Sequence, residues 1–128
     1  MDKKYCIQKT YRGKQISASV EQCGTDFLVR CSGGDSPHIG SVCMAMPYCA
    51  GGRNLASLSL ITAPTHRDDS VAKKLADDIC RATGARTVAV CGIHYDNADP
   101  SMISEICNMI SEISAELCSA ASGLSGLS

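Results

Sequence analysis

Three histidines are the side chains of this 128-residue chain best placed to do chemistry, and each falls where one element is expected to end or another to begin. His38 sits in "GGDSPHIG" (33–40), His66 in "PTHRDD" (64–69) and His94 in "GIHYDN" (92–97). Histidine titrates near neutrality and is the commonest metal ligand, and loops at strand ends are where scaffolds carry function. Two chemistries are open. The first is anion binding. The loop with Gly33, Gly34, Asp35, Ser36, Pro37, His38, Ile39 and Gly40 can turn backbone N–H groups inward as a nest, and glycine lets a ligand approach closely. His66 and Arg67 would stand beside a helix N-terminus, which favours negative charge. The second is metal binding: His38, His66 and His94 with Asp68 or Asp69 would suit zinc or iron, although no His-x-x-x-His pair is present. Each segment also has a plain structural reading. The loop can be an irregular connection rich in turn formers, Asp68 or Asp69 can cap a helix beside a solvated Arg67, and the histidines can be solvated. No P-loop or dinucleotide fingerprint occurs, which argues against nucleoside triphosphates.

The elements that must position these residues follow from periodicity. Residues 4–11 alternate as a strand, "RGK" at 12–14 offers a hairpin turn, and "QISASVEQ" returns with Ile16, Ala18 and Val20 on one face. "DFLVRC" at 26–31 places Phe27, Val29 and Cys31 on one side. After the 33–40 loop, "SVCMAMPYC" places Val42, Met44 and Met46 on one side, and "AGGRN" turns the chain into a fifth strand, "LASLSLITA". From Ser70 the period changes to four: Val71, Leu75 and Ile79, flanked by Ala72, Ala76 and Cys80, predict a helix capped by Asp68, Asp69 or Ser70 and stopped at Gly84. "RTVAVCGI" at 86–93 reads as a central strand buried on both faces. Asp99 as N-cap and Pro100 at the first helical position open a last helix. Its stripe of Ile103, Ile106, Ile110, Ile113 and Leu117 carries it to about residue 119, and residues 120–128 read as a flexible tail.

This order predicts an α+β two-layer sandwich: a largely antiparallel sheet of five or six strands with two helices on one face, as a single domain over residues 1–119. Alternation of serine with apolar residues in the second and fifth strands marks the other face as solvated or a subunit contact, so a homodimer is an open expectation. With no Trp and one Phe, the core must come from aliphatics, Met and Cys, and stacking platforms for bases are scarce. Twelve basic against thirteen acidic side chains give a net charge of −1, which offers no footprint for nucleic acid or an anionic membrane. No apolar run is long enough to span a bilayer. The charged N-terminus "MDKKYCIQKT" lacks the apolar core of a signal peptide. The nine cysteines are odd in number, without Cys-x-x-Cys, and read as small hydrophobes in a reducing cytoplasm.

The three histidine segments, in this order and with these separations, resemble the LpdD-like family, the small D subunit of gallate decarboxylase systems, described as a prenylated-flavin chaperone domain. The resemblance runs from about residue 25 to residue 113. Gly33, Gly34, Pro37, His38, Ile39 and Gly40 match the family's Gly-Gly-x-x-Pro-His-Ile-Gly loop. His66, Arg67 and Asp68 correspond to its histidine, basic residue and Asp before a helix, and Gly92, Ile93 and His94 to its Gly-Ile-His. The resemblance implies a non-catalytic accessory protein that binds prenylated FMN, or FMN, and assists its delivery to or maturation in a UbiD-type hydroxyarylic acid decarboxylase. A UbiX-like flavin prenyltransferase would be a further partner. Its implied cofactor-binding residues are Gly33, Gly34, Asp35, Ser36, Pro37, His38, Ile39, Gly40, His66, Arg67, Asp68 and His94. Two alternatives stand beside it: a metal-dependent hydrolase or lyase built on His38, His66 and His94 with Asp68 or Asp69 as base, and a structural decarboxylase subunit that docks through the polar sheet face.

Overall fold

In the computed structural model, which describes residues 3–63 and 68–126, the chain runs through five strands, a helix, a sixth strand and a second helix. They are β1 (Lys4–Tyr11), β2 (Lys14–Cys23), β3 (Asp26–Gly34), β4 (Ser41–Ala50), β5 (Arg53–Thr62), α1 (Asp69–Thr83), β6 (Thr87–His94) and α2 (Pro100–Gly126). The architecture is the expected α+β sandwich: one six-stranded, mostly antiparallel sheet in the order β1-β2-β3-β6-β4-β5, with both helices packed on the same face. The hairpins close as their turn residues require. Arg12 and Gly13 between β1 and β2, and Gly51 and Gly52 between β4 and β5, all take positive φ, the twist-compatible geometry of two-residue hairpin loops.

Strand alternation sorts the two faces. Ile16, Ala18, Val20, Phe27, Val29, Cys31, Cys43, Ala45, Ala89 and Cys91 are buried toward the helices. They meet Ala72, Leu75, Ala76, Ile79 and Cys80 of α1 and Ile110, Ile113 and Leu117 of α2. The Val42, Met44 and Met46 side of β4 therefore faces away from the helices, and Cys43 and Ala45 fill the core. β6 is less enclosed than its sequence suggested: Ala89 and Cys91 are buried on the helix side, whereas Val88 and Val90 remain half-buried on the open side.

Two further differences have physical causes. The first concerns strand order: β6 inserts between β3 and β4, parallel to β3 (Phe27 opposite Thr87) and antiparallel to β4 (Ser41 opposite Cys91). Consecutive strands β3 and β4 are thus two positions apart, and the chain between them must step across the end of β6. The second is the end of α2. The helix does not fray near residue 119 but continues to Gly126, because Ala121 extends the buried stripe one turn past Leu117 and Leu124 packs against the core. The expected flexible tail from residue 120 is helical as far as it is described. Ser114 ties the two helices together, donating its hydroxyl to Asp78 Oδ2 at 2.7 Å.

Candidate functional site

The crossing from β3 to β4 builds the site. Gly33 and Gly34, expected in the loop, are the last residues of β3 and pair with Ile93 and His94 of β6. Residues 35–40 then pass over the C-terminal end of β6. The amides of Asp35 and Ser36 donate to the His94 carbonyl (2.7 and 3.4 Å), and that of Gly40 donates to the Cys91 carbonyl (2.9 Å). Asp35 returns a bond by accepting from the Asp96 amide through Oδ2 (2.9 Å). Those loop amides are spent on capping a strand, so the anion nest that glycine content suggested does not form from them. The glycines serve close packing. A Cβ on Gly92 would lie 1.8 Å from the His38 carbonyl oxygen, and one on Gly40 would lie 2.0 Å from Asp68 Oδ2.

That packing sets His38 against Asp68. His38 Nδ1 lies 2.9 Å from the Ser36 carbonyl oxygen and Nε2 lies 2.9 Å from Asp68 Oδ2. A carbonyl and a carboxylate both accept, so the arrangement is satisfied in full by an imidazolium with hydrogen on both ring nitrogens. The hydrogen bond to Ser36 raises the His38 pKa above its ordinary value, partial desolvation opposes it, and the Asp68 carboxylate adds to the rise. Asp68 is buried and also accepts from the Ile93 amide through Oδ1 at 3.0 Å. It occupies the N-cap position of α1 yet makes no side-chain cap bond. The expected cap is thereby corrected: the carboxylate is drawn across to His38 and β6, and it still sits where the helix dipole favours negative charge.

The histidine–aspartate pair floors a cleft of about 800 Å³ between the N-terminal ends of α1 and α2 and the end of β6. Ser70 and Val71 line one side, Ile103, Ile106 and Cys107 of α2 the other, and Ile93, His94 and Tyr95 the back. His94 is exposed at the mouth, with Nε2 3.0 Å from Asp96 Oδ1. Tyr95 is buried, its hydroxyl donating to the carbonyls of Tyr11 (3.1 Å) and Lys14 (3.3 Å), with its ring edge-on to Tyr11. α2 begins as expected, with the Met102 amide donating to Asp99 Oδ1 at 2.8 Å.

His38, Asp68 and His94 are thus brought to one cleft. Pro37 and Ile39 instead face a groove of about 490 Å³ on the open side of the sheet, beside Leu28 and Val90, and His38 borders both cavities. His66 and Arg67 lie outside the described residues. Sequence reasoning missed the cleft's apolar wall. Ile103 and Ile106 read as core positions because they share the α2 stripe, yet Ile103 is 53% exposed. The available signal was their place in the first two turns, just after the segment that ends β6. The metal reading gains no support at His38, whose two ring nitrogens both lie against oxygen acceptors, and His66 lies outside the described residues. Among the described residues no three His, Cys, Asp or Glu side chains cluster closely enough to hold an ion. Under the cleft, burial pushes the Cys31 thiol up to about 12 and Cys91 higher still, so both remain protonated core groups.

A family model described as the prenylated flavin chaperone LpdD-like domain matches residues 10–122. No curated protein matches the chain. Among solved structures, the chain is similar to one from a crystal structure of a novel chaperone complex for yeast 20S proteasome assembly. The TM-score is 0.59 at 14% identity, over 94% of this chain and 98% of that one. At that identity the likeness is one of fold. Among the described residues, no helix is long and apolar enough to cross a membrane.

Proposed function

We propose a function from one premise: the chain belongs to the prenylated flavin chaperone LpdD-like family, and so is an accessory protein rather than a catalyst. In our reading, the cleft between α1 and α2 receives prenylated FMN, or FMN, and the chain delivers it to or matures it in a UbiD-type decarboxylase, with a UbiX-like prenyltransferase as the source. The cytoplasm is its expected compartment, in keeping with cysteines that are free thiols.

The observation that carries this reading is the cleft itself. Its volume of about 800 Å³ falls within the roughly 300–1,000 Å³ typical of small-ligand sites, and its chemistry is divided in the way a flavin phosphate is divided. Val71, Ile93, Ile103 and Ile106 offer an apolar wall for a flat ring. The first amides of α1, at Asp69, Ser70 and Val71, have no acceptor within their helix and offer a positive end to a phosphate. No Lys or Arg lines the cleft among the described residues. When bound, such a cofactor would supply the electrophilic ring chemistry of the decarboxylase. This chain's residues only hold it, shield it from water and keep the His38 imidazolium beside it.

Anaerobic titration of the purified protein with reduced prenylated FMN, with FMN in parallel, tests the reading. The expected result is a saturable spectral change with co-elution near one flavin per chain, weakened at least tenfold in Ile103→Asp. Neither spectral change nor co-elution with the wild-type chain would refute it.

A further inference from the structure

The face of the sheet away from the helices is half polar and half apolar, and the division follows strand order. Register puts its open-side residues in transverse rows. One row runs Lys4, Glu21, Leu28, Val88, Met44, Ser59, and the next runs Cys6, Ser19, Arg30, Val90, Val42, Ile61. Charges and serines occupy β1 and β2. Valine and methionine occupy β6 and β4, joined by Leu28 of β3 and Ile61 at the end of β5, while Arg30 and Ser32 keep the rest of β3 polar. Leu28 is 41%, Met46 37%, Ile61 75% and, from the crossing segment, Ile39 72% exposed. Exposed apolar residues gathered on one continuous surface mark an interaction site, whereas scattered ones do not.

We infer that this open face is the interface of a homodimer in which the β6 strands of two copies of the chain lie against each other. Three observations favour a second copy as the occupant. First, the open positions of β6 and its neighbour β4 are Val88, Val90, Val42, Met44 and Met46, without a charge. A twofold contact sets each group near its own symmetry mate, so an uncharged centre avoids like charges facing like. Second, size fits. The five strands from β2 to β5, at about 4.8 Å spacing and about 30 Å long, outline roughly 700 Å², and side-chain relief brings this toward the roughly 800 Å² per partner of a standard interface. Third, β6 is the middle strand of those five. Pairing there gives a hydrophobic centre with Glu21, Ser19 and Ser59 at the rim, and the long stem of Arg30 can carry its charge outward. Sheets that pack face to face stand about 10 Å apart, which would enclose Val88 and Val90 on their second side. Ile39 would be covered at the same time, clamping the segment that carries His38.

The test is molar mass in solution, by light scattering and sedimentation over a range of concentrations, for wild type, Leu28→Glu and Met46→Glu. Both substituted residues are exposed in the single chain, so a carboxylate at either position leaves its folding intact, as circular dichroism will verify. A Gln8→Glu variant on exposed β1, outside those five strands, is the control. The expected result is twice the 13.4 kDa chain mass for wild type and control at micromolar concentration, with the two open-face variants shifted to the single-chain mass or weakened at least a hundredfold. A wild-type chain that is monomeric at 100 µM overturns the proposal. So does a dimer that survives Leu28→Glu and Met46→Glu, which would place the contact elsewhere. Loss of decarboxylase binding in both variants from a monomeric wild type would assign the face to that partner instead. Flavin titration is a separate readout, so its failure leaves this result standing.

Discussion

Removing His38's ring should loosen the cleft floor, and the structure sets the size of the effect. Asp68 is 6% exposed, with the His38 ring and one backbone amide as its partners among the described residues. Deleting one partner of a buried ion pair costs about 3–5 kcal/mol. The His38 side chain keeps 20% of its surface in solvent, and screening lowers the expectation to about 2–3 kcal/mol. For a chain of this length that corresponds to a fall of roughly 6–15 °C in Tm. Denaturant unfolding of wild type, His38→Ala, Asp68→Asn and the double variant should show coupling of about 1.5 kcal/mol or more, because the residues are in direct contact. The pH dependence has a definite sign. The folded pKa of His38 is raised above its unfolded value. Its contribution is therefore fully present below about pH 6.5, the unfolded pKa, and is lost as pH rises through the folded value. The stability gap between wild type and His38→Ala should shrink from pH 6 to pH 9. A gap under 0.5 kcal/mol at pH 6, or one that widens with pH, would refute the imidazolium assignment.

Three other expectations follow from packing. Gly92→Ala would place a methyl 1.8 Å from the His38 carbonyl oxygen, and should lower stability by about 1–3 kcal/mol; an unchanged denaturation midpoint would show that the crossing segment gives way freely. Truncation after Ser119 removes buried Ala121 and half-buried Leu124, which should cost about 1–3 kcal/mol of apolar burial, and an unaltered midpoint would mean that the last turns of α2 pack on nothing. Thiol labelling of the native protein at pH 8 should be fast at exposed Cys6, Cys23, Cys49 and Cys107 and slow at buried Cys31 and Cys91, since the thiolate is the reactive form and burial keeps Cys31 near 12. Rapid native-state modification of Cys31 would contradict its place in the core.

Much of the fold was legible in the chain because the signals were local. Period-two alternation assigned Ile16, Ala18 and Val20, and Phe27, Val29 and Cys31, to shared faces that are indeed buried. The four-residue stripe set α1, Gly84 ended it in the left-handed conformation, and Asp99 with Pro100 opened α2. The three histidine segments were also visible as candidates, and the family they resemble is the one to which the chain belongs. Periodicity could not say which face of β4 looked inward, since Val42, Met44 and Met46 are the more apolar set yet face away from the helices.

Strand order belongs to tertiary structure, because pairing joins segments far apart in the chain and leaves no local trace. Inserting β6 between β3 and β4 makes "GGDSPHIG" a strand end and a crossing, with the amides of Asp35, Ser36 and Gly40 spent on the His94 and Cys91 carbonyls. The same crossing carries His38 to an aspartate 30 residues away, whose carboxylate turns to it rather than making a cap bond from its N-cap position. The sequence by itself determined which residues were chemically able and which faces were apolar. Only the folded chain decided which of them meet: the step over β6 fixes where His38 can reach, and the order of strands fixes which apolar face is left uncovered.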